Sequence, residues 1–354
     1  MSLGFSHDNG LPPVPEGMHG AGEPQQGGGL TLWKDQRQNG PKETPFVLAC
    51  VLCVAGALSA ASVPPLACLL MGFGALCAGA GRGRGAHALI AAGTLVACGI
   101  GGAFIGAGAV PDALIVGALS PGSALAVEKG RMRPGVACAI VAITAAAQIG
   151  SAAASAMMAG TRVGDSFIEV LVSNLQALEA AGVDASSRSL VEWAVRTFWP
   201  AAFSTESMLE FLCAFAGTGL AARRLRSRRV EWPDFGLFDL PLWVVAVFVA
   251  ALAGCVAWYT HQDTFGNVVL MVSGNALLTV RYALAAQGLA VLVWHMRNRK
   301  TPAFAARLAI LAALYLEVQF IVMSVVGLLD IWSNFRRLPR GEQRHAIQDE
   351  PKQD

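Results

Sequence analysis

PFVLACVLCVAGALSAASVPPLACLLMGFGALCAGA, residues 45–80, is an almost uninterrupted apolar run of 36 residues. A transmembrane helix needs about 20 apolar residues to cross about 30 Å of hydrocarbon, so the run has room for two passes only if both are short. Pro64 and Pro65 interrupt it where a straight helix cannot continue, because proline lacks a backbone N–H and its ring clashes with the preceding turn. The run therefore predicts two short membrane spans joined by a tight turn.

Apolar segments of this kind recur along the whole chain. Hydrophobic residues make up 54% of its 354 residues, charged residues only 14%, and the mean hydropathy is +0.51, whereas soluble domains carry about 25% charged residues. The composition predicts an integral membrane protein, an all-α polytopic bundle of about eight or nine spans. The further segments are residues 87–109, 111–127, 134–159, 200–222, 240–259, 267–295 and 303–329.

Three regions outside the spans have a different composition. Residues 1–44 hold nine Gly and five Pro, too little apolar surface to offset chain entropy, so a disordered tail is predicted there and another at 339–354. Residues 160–199 are the long loop between two spans, and apolar residues at helical spacing predict an external pair of amphipathic helices. The loop at 223–239 begins with a run of arginines.

Positively charged residues fall in every second loop, and such loops are cytoplasmic in membrane proteins. This places the N-terminus and the 223–239 loop on the cytoplasmic side of the membrane that the spans cross. Nine spans would then put the arginines of the C-terminal tail outside. Either one segment is irregular or the tail is external. We favour an internal tail and an irregular segment at 267–295, because it contains Gly274, Asn275 and Arg281.

The last apolar segment ends in GLLDIWSNFRRLPRG, residues 327–341. Trp332 and Phe335 are typical of the aromatic belt at a membrane interface, and Arg336 and Arg337 are expected to reach lipid phosphate from there. Asp330 is unfavourable near a helix C-terminus, so we expect it to pair with an arginine.

Polar side chains at bilayer depth are costly, and they are therefore the candidates for function. They are Glu206, Glu210, Arg281, Glu317 and Gln319. One hypothesis is that they line a path for a substrate or an ion. The other is a buried ion pair, between Arg281 and either Glu210 or Glu317, that locks helix packing.

Several classes of function are not expected. The six histidines are scattered without the spacing of a metal site, and no hydrolase, kinase or metalloprotease signature is present. The eight cysteines lie in apolar runs, where a thiol packs as a small hydrophobe. No enzymatic activity, cofactor, metal or nucleic-acid partner is therefore predicted.

Three stretches resemble a known family: FDLPLWVV after the arginine-rich loop, NALLTVRYALAAQGLAVLVWHMRNRKTP, and the ending VVGLLDIWSNFRRL. They are similar to the YybS-like family of bacterial multi-span membrane proteins, domain of unknown function 2232. The matching features are Leu240 with Pro241, Gln287 to Ala290, and Gly327 to Arg337. Residues 45–229 are also similar in span number and loop placement to the substrate-capture subunits of energy-coupling-factor vitamin transporters.

Two functions follow from these observations, and the sequence leaves both open. The first is capture or transport of a small solute. The second is a membrane scaffold or regulatory protein whose arginine-rich loops bind anionic lipid or a cytoplasmic partner. A polar internal cavity joining Glu206, Glu210 and Arg281 is expected of a transporter, and dry interfaces of small residues are expected of a scaffold.

Overall fold

The structure is a computed structural model, and it describes residues 46–165, 185–225, 230, 232–260 and 264–338. Every regular element in these ranges is helical, which confirms the predicted all-α fold. The predicted tails, 1–44 and 339–354, lie outside them. The α-helices that lie wholly within these ranges are α1 (Phe46–Leu58), α2 (Pro64–Gly79), α3 (Arg84–Ile105), α4 (Val110–Glu128), α5 (Pro134–Met158), α6 (Ala185–Arg224), α7 (Leu242–Thr260), α8 (Thr264–Asn298), α9 (Ala303–Phe320) and α10 (Val322–Ser333).

Helices α1 and α2 form the hairpin that the paired prolines predict. Pro64 and Pro65 occupy the first positions of α2, where the missing N–H has no partner inside the helix anyway. With 13 and 16 residues, the two helices are about 20 and 24 Å long, shorter than the hydrocarbon core. Ten of the 16 residues of α2 are buried, so this helix faces protein rather than lipid.

Six of the described helices are long and apolar enough to cross a membrane, namely α3, α4 with the 3-10 turn before it, α5, α7, α8 and α9. Helix α6 is less apolar and packs directly against α2. A Cβ added to Gly72 would overlap the carbonyl oxygen of Ala214, and one added to Gly217 would overlap that of Leu69. Small residues let the two backbones approach this closely, a common means of packing helices in membranes.

The helices form two bundles with separate hydrophobic cores. The amino-terminal bundle has a large core built from α1 to α4 and α6, and α5 packs against its edge. The carboxy-terminal bundle, α7 to α10, has two smaller cores around Leu284 and Ala285. The two bundles meet mainly along α6 and α8, which places α6 between both cores.

The basic loops lie together at one end of the molecule, called the basic face below. Gly81 donates a backbone hydrogen bond of 2.9 Å to Glu128, which joins the α2–α3 loop to the end of α4. Trp232, in the loop after α6, lines a pocket with Gly130 of the α4–α5 loop. The exposed basic residues here are Arg82, Arg84, Lys129, Arg131, Arg133, Arg223, Arg224, Arg297, Arg299, Lys300 and Arg337. The opposite end is called the outer face.

The last apolar stretch, residues 303–329, is not a single span. Helix α9 ends at Phe320 and α10 begins at Val322, while Ile321 between them has a left-handed backbone with φ 55° and ψ 25°. This conformation is rare for a β-branched residue and costs about 1–3 kcal/mol. The surrounding contacts must therefore hold the chain in this break.

Contacts with α8 show how the chain runs on either side of the break. Ala313 and Glu317 of α9 lie beside Ala285 and Arg281 of α8, so α9 is antiparallel to α8. Ser324 and Asp330 of α10 bond Arg281 and Gln287, so α10 runs parallel to α8. Helices α9 and α10 therefore form a re-entrant hairpin that enters and leaves by the basic face.

This hairpin corrects the prediction of an irregular eighth segment. Helix α8 is continuous from Thr264 to Asn298, and the irregular segment is the ninth. The described chain up to Leu338 returns to the side of the basic loops, because Arg336 donates a hydrogen bond of 2.8 Å to the carbonyl oxygen of Gly236 in the loop after α6. Among the described helices, α1 to α8 thus alternate between the two faces, and α9 and α10 return the chain to the basic face.

A set of reporter fusions tests this topology. We expect a reporter fused after residue 229 and one fused after Leu338 to report the same side of the membrane, and one fused after Thr260 to report the other. The reason is the parallel course of α8 and α10. Paired alkaline phosphatase and green fluorescent protein activities in whole cells measure it. A fusion at Leu338 that behaves like the one at Thr260 would show that 303–338 crosses the membrane.

Part of the predicted external helix pair belongs to α6. The amphipathic piece from Ser189 to Trp199 is continuous with the membrane part of that helix, which has 40 residues. At 1.5 Å per residue α6 is about 60 Å long, roughly twice the hydrocarbon thickness, so its first turns extend beyond the outer face. Residues 166–184, with most of the first predicted piece, lie outside the described residues.

Candidate functional site

The contact between α6 and α8 is built around a proline. Pro200 lies inside α6 and interrupts its hydrogen bonding. Asn275 of α8 replaces the lost bond: its Oδ1 accepts from Ala201 N at 2.8 Å, and its Nδ2 donates to Thr197 O at 2.8 Å. Next along α8, Thr279 donates to Ser204 Oγ at 2.9 Å. Asn275, one of the residues that suggested a break in α8, therefore repairs a break in α6.

Replacing Asn275 by leucine should lower the free energy of unfolding by about 1–3 kcal/mol, because Ala201 N and Thr197 O lose their partner. Adding Pro200→Ala in the same chain should recover much of that loss, since a regular helix bonds Ala201 N to Thr197 O directly. Unfolding in mixed micelles measures both variants. A double variant no more stable than Asn275→Leu alone would contradict this account of the kink.

Arg281 and Glu317 form an ion pair at the α9–α10 break. Arg281 Nε lies 3.0 Å from Glu317 Oε1, and Arg281 Nη2 donates to the backbone oxygen of Glu317 at 2.8 Å. Glu317 in turn accepts from Ser324 N at 2.9 Å and from Ser324 Oγ at 2.7 Å. The predicted pairing of Arg281 with a carboxylate is confirmed, and the partner is Glu317 rather than Glu210.

This pair caps both helix ends at the break. The guanidinium of Arg281 bonds a carbonyl group in the last turn of α9, and the carboxylate of Glu317 bonds an N–H group in the first turn of α10. Each charge therefore meets the helix end of opposite polarity, the favourable arrangement for a helix dipole. The geometry explains the pair as structural support for the left-handed Ile321.

Glu210 belongs to a second polar cluster, inside the amino-terminal bundle. Its side chain is fully buried, and Oε2 accepts a hydrogen bond of 3.0 Å from Gln148 Nε2 of α5. Ser207, one turn earlier on α6, donates to Gln148 Oε1. Oε1 of Glu210 has no hydrogen-bond partner among the described residues. The cluster of Glu210, Gln148 and Ser207 is called the Glu210 site below.

Two more acids lie between this site and the outer face. Glu206, one turn from Glu210 on α6, is exposed, and Asp112 is exposed in the first turn of α4. Both are close enough to interact electrostatically with Glu210. On the opposite wall, residues 149–158 of α5 contain no buried residue, whereas Gln148 is buried. Helix α5 thus covers Glu210 at Gln148 and contributes no buried residue from there to its end at Met158.

The predicted site residues therefore do not meet in one place. Glu206 and Glu210 are in the amino-terminal bundle, and Arg281 pairs with Glu317 in the carboxy-terminal bundle. Gln319 is exposed on α9, two residues beyond Glu317. Two surface pockets lie elsewhere: one is an apolar groove between α8 and α10, the other lies beside Trp232, and neither is lined by any of these five side chains. No group of three or more metal-ligand side chains occurs among the described residues.

The three stretches that carry the family resemblance meet at the basic face. Leu240 N donates to Gln287 Oε1 at 3.1 Å, and Gln287 Nε2 donates to Asp330 Oδ2 at 2.8 Å. The same Asp330 oxygen lies 2.8 Å from Arg336 Nη2, so the expected pairing of Asp330 with an arginine is confirmed. Arg336 is 3% exposed and does not reach lipid, contrary to expectation, while Arg337 is exposed.

Comparison with known families agrees with this architecture. The model of a family described as a predicted membrane protein, DUF2232, matches residues 47–331, from the first turn of α1 to within α10. The chain belongs to the DUF2232 family. No curated protein and no solved structure matches it. The match to DUF2232 covers both bundles, so most of the re-entrant hairpin lies within the matched residues.

Several residues of these clusters were missed from sequence. In this DUF2232 chain Gln148 and Ser207 are not among the candidates that the sequence singles out. Ser324 looks like any small residue of an apolar segment. Their roles depend on partners far away in the sequence. Ser207 and Gln148 are 59 residues apart, Gln148 and Glu210 are 62 apart, and Ser324 and Arg281 are 43 apart. No local spacing signals such contacts.

Proposed function

We propose that this protein captures a small solute from the outer face, at the Glu210 site between α4, α5 and α6, and takes part in its transport. The observation that carries the proposal is the carboxylate oxygen Oε1 of Glu210, which is fully buried and has no hydrogen-bond partner among the described residues. Buried polar groups are almost always satisfied, so an exception calls for an explanation such as an unbound ligand or ion.

A comparison with the other buried charges supports this assignment. The carboxylates of Glu317 and Asp330 each pair with an arginine and accept further hydrogen bonds. These two acids have the arginine partners of structural ion pairs. Glu210 has one neutral donor, Gln148, and no Lys, Arg or His of the described residues pairs with it. Its surroundings are those of a binding group.

The placement of the site also supports capture from outside the cell. Positive charge marks the cytoplasmic side of a membrane protein, so we assign the basic face to the cytoplasm and the outer face to the exterior of a bacterial plasma membrane. Glu206 and Asp112 then lie toward the exterior. The short early helices and the long outer loop before α6 resemble the substrate-capture subunits of energy-coupling-factor transporters, which favours the same function by analogy of architecture.

A ligand screen tests the proposal. Full-length protein in lipid nanodiscs is heated with a panel of small cationic, zwitterionic, neutral and anionic solutes. We expect at least one class to raise the unfolding temperature saturably, because a ligand at 100 times its Kd stabilises by about 2.7 kcal/mol. Glu210→Gln should abolish the effect, and Glu192→Gln, an exposed acid on the same helix, should keep it. A panel with no compound that distinguishes Glu210→Gln from the wild type would refute capture at this site.

A second function is favoured by a different observation. The eleven exposed Lys and Arg residues of the basic face are gathered at one end of the bundle. Such a surface suits a scaffold that holds anionic lipid or an acidic protein partner. Replacing Arg223 and Arg224 by glutamate should then weaken retention of a partner captured by cross-linking in cells. Unchanged cross-links would count against the scaffold function and would leave solute capture untouched.

A further inference from the structure

We infer that the ligand of the Glu210 site is a small monovalent cation, either an alkali ion or a protonated amine of similar size. This inference rests on the proposed function and adds the chemical class of the solute. It follows from the charges around the site, from the hydrogen-bonding atoms left free, and from the number of carboxylates that are buried.

The charges around the site are all of one sign. Glu210, Glu206 and Asp112 interact electrostatically with one another across α4 and α6. No cationic side chain of the described residues forms an ion pair with any of the three. An anionic solute would add to this repulsion, whereas a cation would relieve it. The graded exposure of the acids, from Asp112 and Glu206 to the buried Glu210, would also draw a cation inward.

Two oxygen atoms of the site are left as acceptors, beside the second N–H of Gln148 Nε2, which remains a donor. The amide of Gln148 is used twice, because Nε2 donates to Glu210 and Oε1 accepts from Ser207. The hydroxyl proton of Ser207 is also used, which leaves its oxygen as an acceptor. Oε1 of Glu210 is a second free acceptor. A ligand that binds between these atoms must coordinate or donate, and an alkali ion or an ammonium group does so.

One buried carboxylate matches one positive charge. Glu210 is fully buried, while Glu206 and Asp112 are exposed to a degree that lets water screen them. Divalent transition metals need several His, Cys, Asp or Glu ligands at one point, and the described residues contain no such group. The site therefore fits a monovalent ion better than a divalent transition metal.

A titration of full-length protein in nanodiscs of zwitterionic lipid tests this inference. The probes are sodium chloride and methylammonium chloride, with N-methyl-D-glucamine chloride, a bulky cation, keeping the ionic strength constant. We expect saturable thermal stabilisation by one or both probes. Glu210→Gln should raise the apparent Kd by about tenfold or more, because a charge-assisted contact is lost. Glu192→Gln should leave the Kd unchanged.

The outcomes distinguish an alkali ion from an amine, and they test the cation inference separately from solute capture. Stabilisation by sodium alone identifies an alkali ion, and stabilisation by methylammonium alone identifies an amine; both support a monovalent cation. If Glu210→Gln does not fold, Glu206→Gln takes its place, with an expected rise in Kd of about two- to fivefold from the weaker local field. If neither probe stabilises the protein, or if a probe stabilises the variant as much as the wild type, the inference of a monovalent cation is wrong. Solute capture would still stand if a neutral or anionic solute stabilised in a Glu210-dependent way.

Discussion

Replacing Arg281 by alanine is expected to lower the free energy of unfolding by about 3–5 kcal/mol. Glu317 would keep only its two bonds from Ser324 and would remain a charge with 12% exposure in an apolar setting. The last turn of α9 would also lose the donor to its carbonyl oxygen. Unfolding of the purified protein in mixed micelles measures the change.

Two further variants show whether the effect belongs to the pair. Combining Arg281→Ala with Glu317→Gln should recover much of the lost stability, because no charge is then stranded. Arg196→Ala removes an arginine from an exposed pair with Glu192, in which the arginine side chain is 52% exposed, and should change stability by less than about 1 kcal/mol. If the double variant is as unstable as the sum of the single variants, Arg281 and Glu317 do not act as a pair.

Replacing Gly217 by leucine is expected to destabilise the protein by about 3 kcal/mol or more. Even a Cβ at this position would overlap the carbonyl oxygen of Leu69, which is backbone and cannot rotate away. Helices α2 and α6 would have to separate along the contact that also includes Gly72. Since Glu210 lies on α6, the same variant should weaken any ligand stabilisation assigned to its site.

Gly93→Leu is the matched control. It makes the same change in an apolar helix, α3, at an exposed position where an added Cβ meets nothing within 4 Å. We expect its unfolding free energy to stay within about 1 kcal/mol of the wild type, since surface changes away from special features are small. Equal losses in the two variants would mean that leucine itself, rather than the close approach of α2 and α6, causes the effect.

Local chemistry made much of the fold predictable. Pro64 and Pro65 forbid a continuous helix, and the structure turns there. The positive charge in every second loop predicts that these loops share one side of the membrane, and in the structure they lie at one end of the bundle. The course of α9 and α10 was not predictable in the same way, because EVQFIVMS, residues 317–324, contains no glycine or proline. Its break depends on Arg281, 36 residues earlier in the chain.

The polar sites, too, could be predicted only in part from the sequence. Placing a polar group in hydrocarbon costs free energy, and for this reason Glu210, Arg281 and Glu317 can be identified from the sequence as candidates. It does not say which of them are satisfied, because that depends on which helix faces which. Asn275 illustrates the difficulty: in its own helix it suggests a break, and in the folded chain it supplies the hydrogen bonds missing at Pro200. Tertiary pairing, rather than residue type, separates structural charges from a binding group.

The distance along the chain between Arg281 and Glu317 also matters during biosynthesis. At a translation rate of about 5–20 residues per second, the 36 residues that separate them take about 2–7 s to synthesise. During that interval α8 emerges with an unpaired arginine, whose transfer into the bilayer centre is opposed by about 2.5–3.5 kcal/mol on insertion scales. The apolar residues of α8 must offset this penalty until α9 is made, and the pair with Glu317 relieves it only from then on.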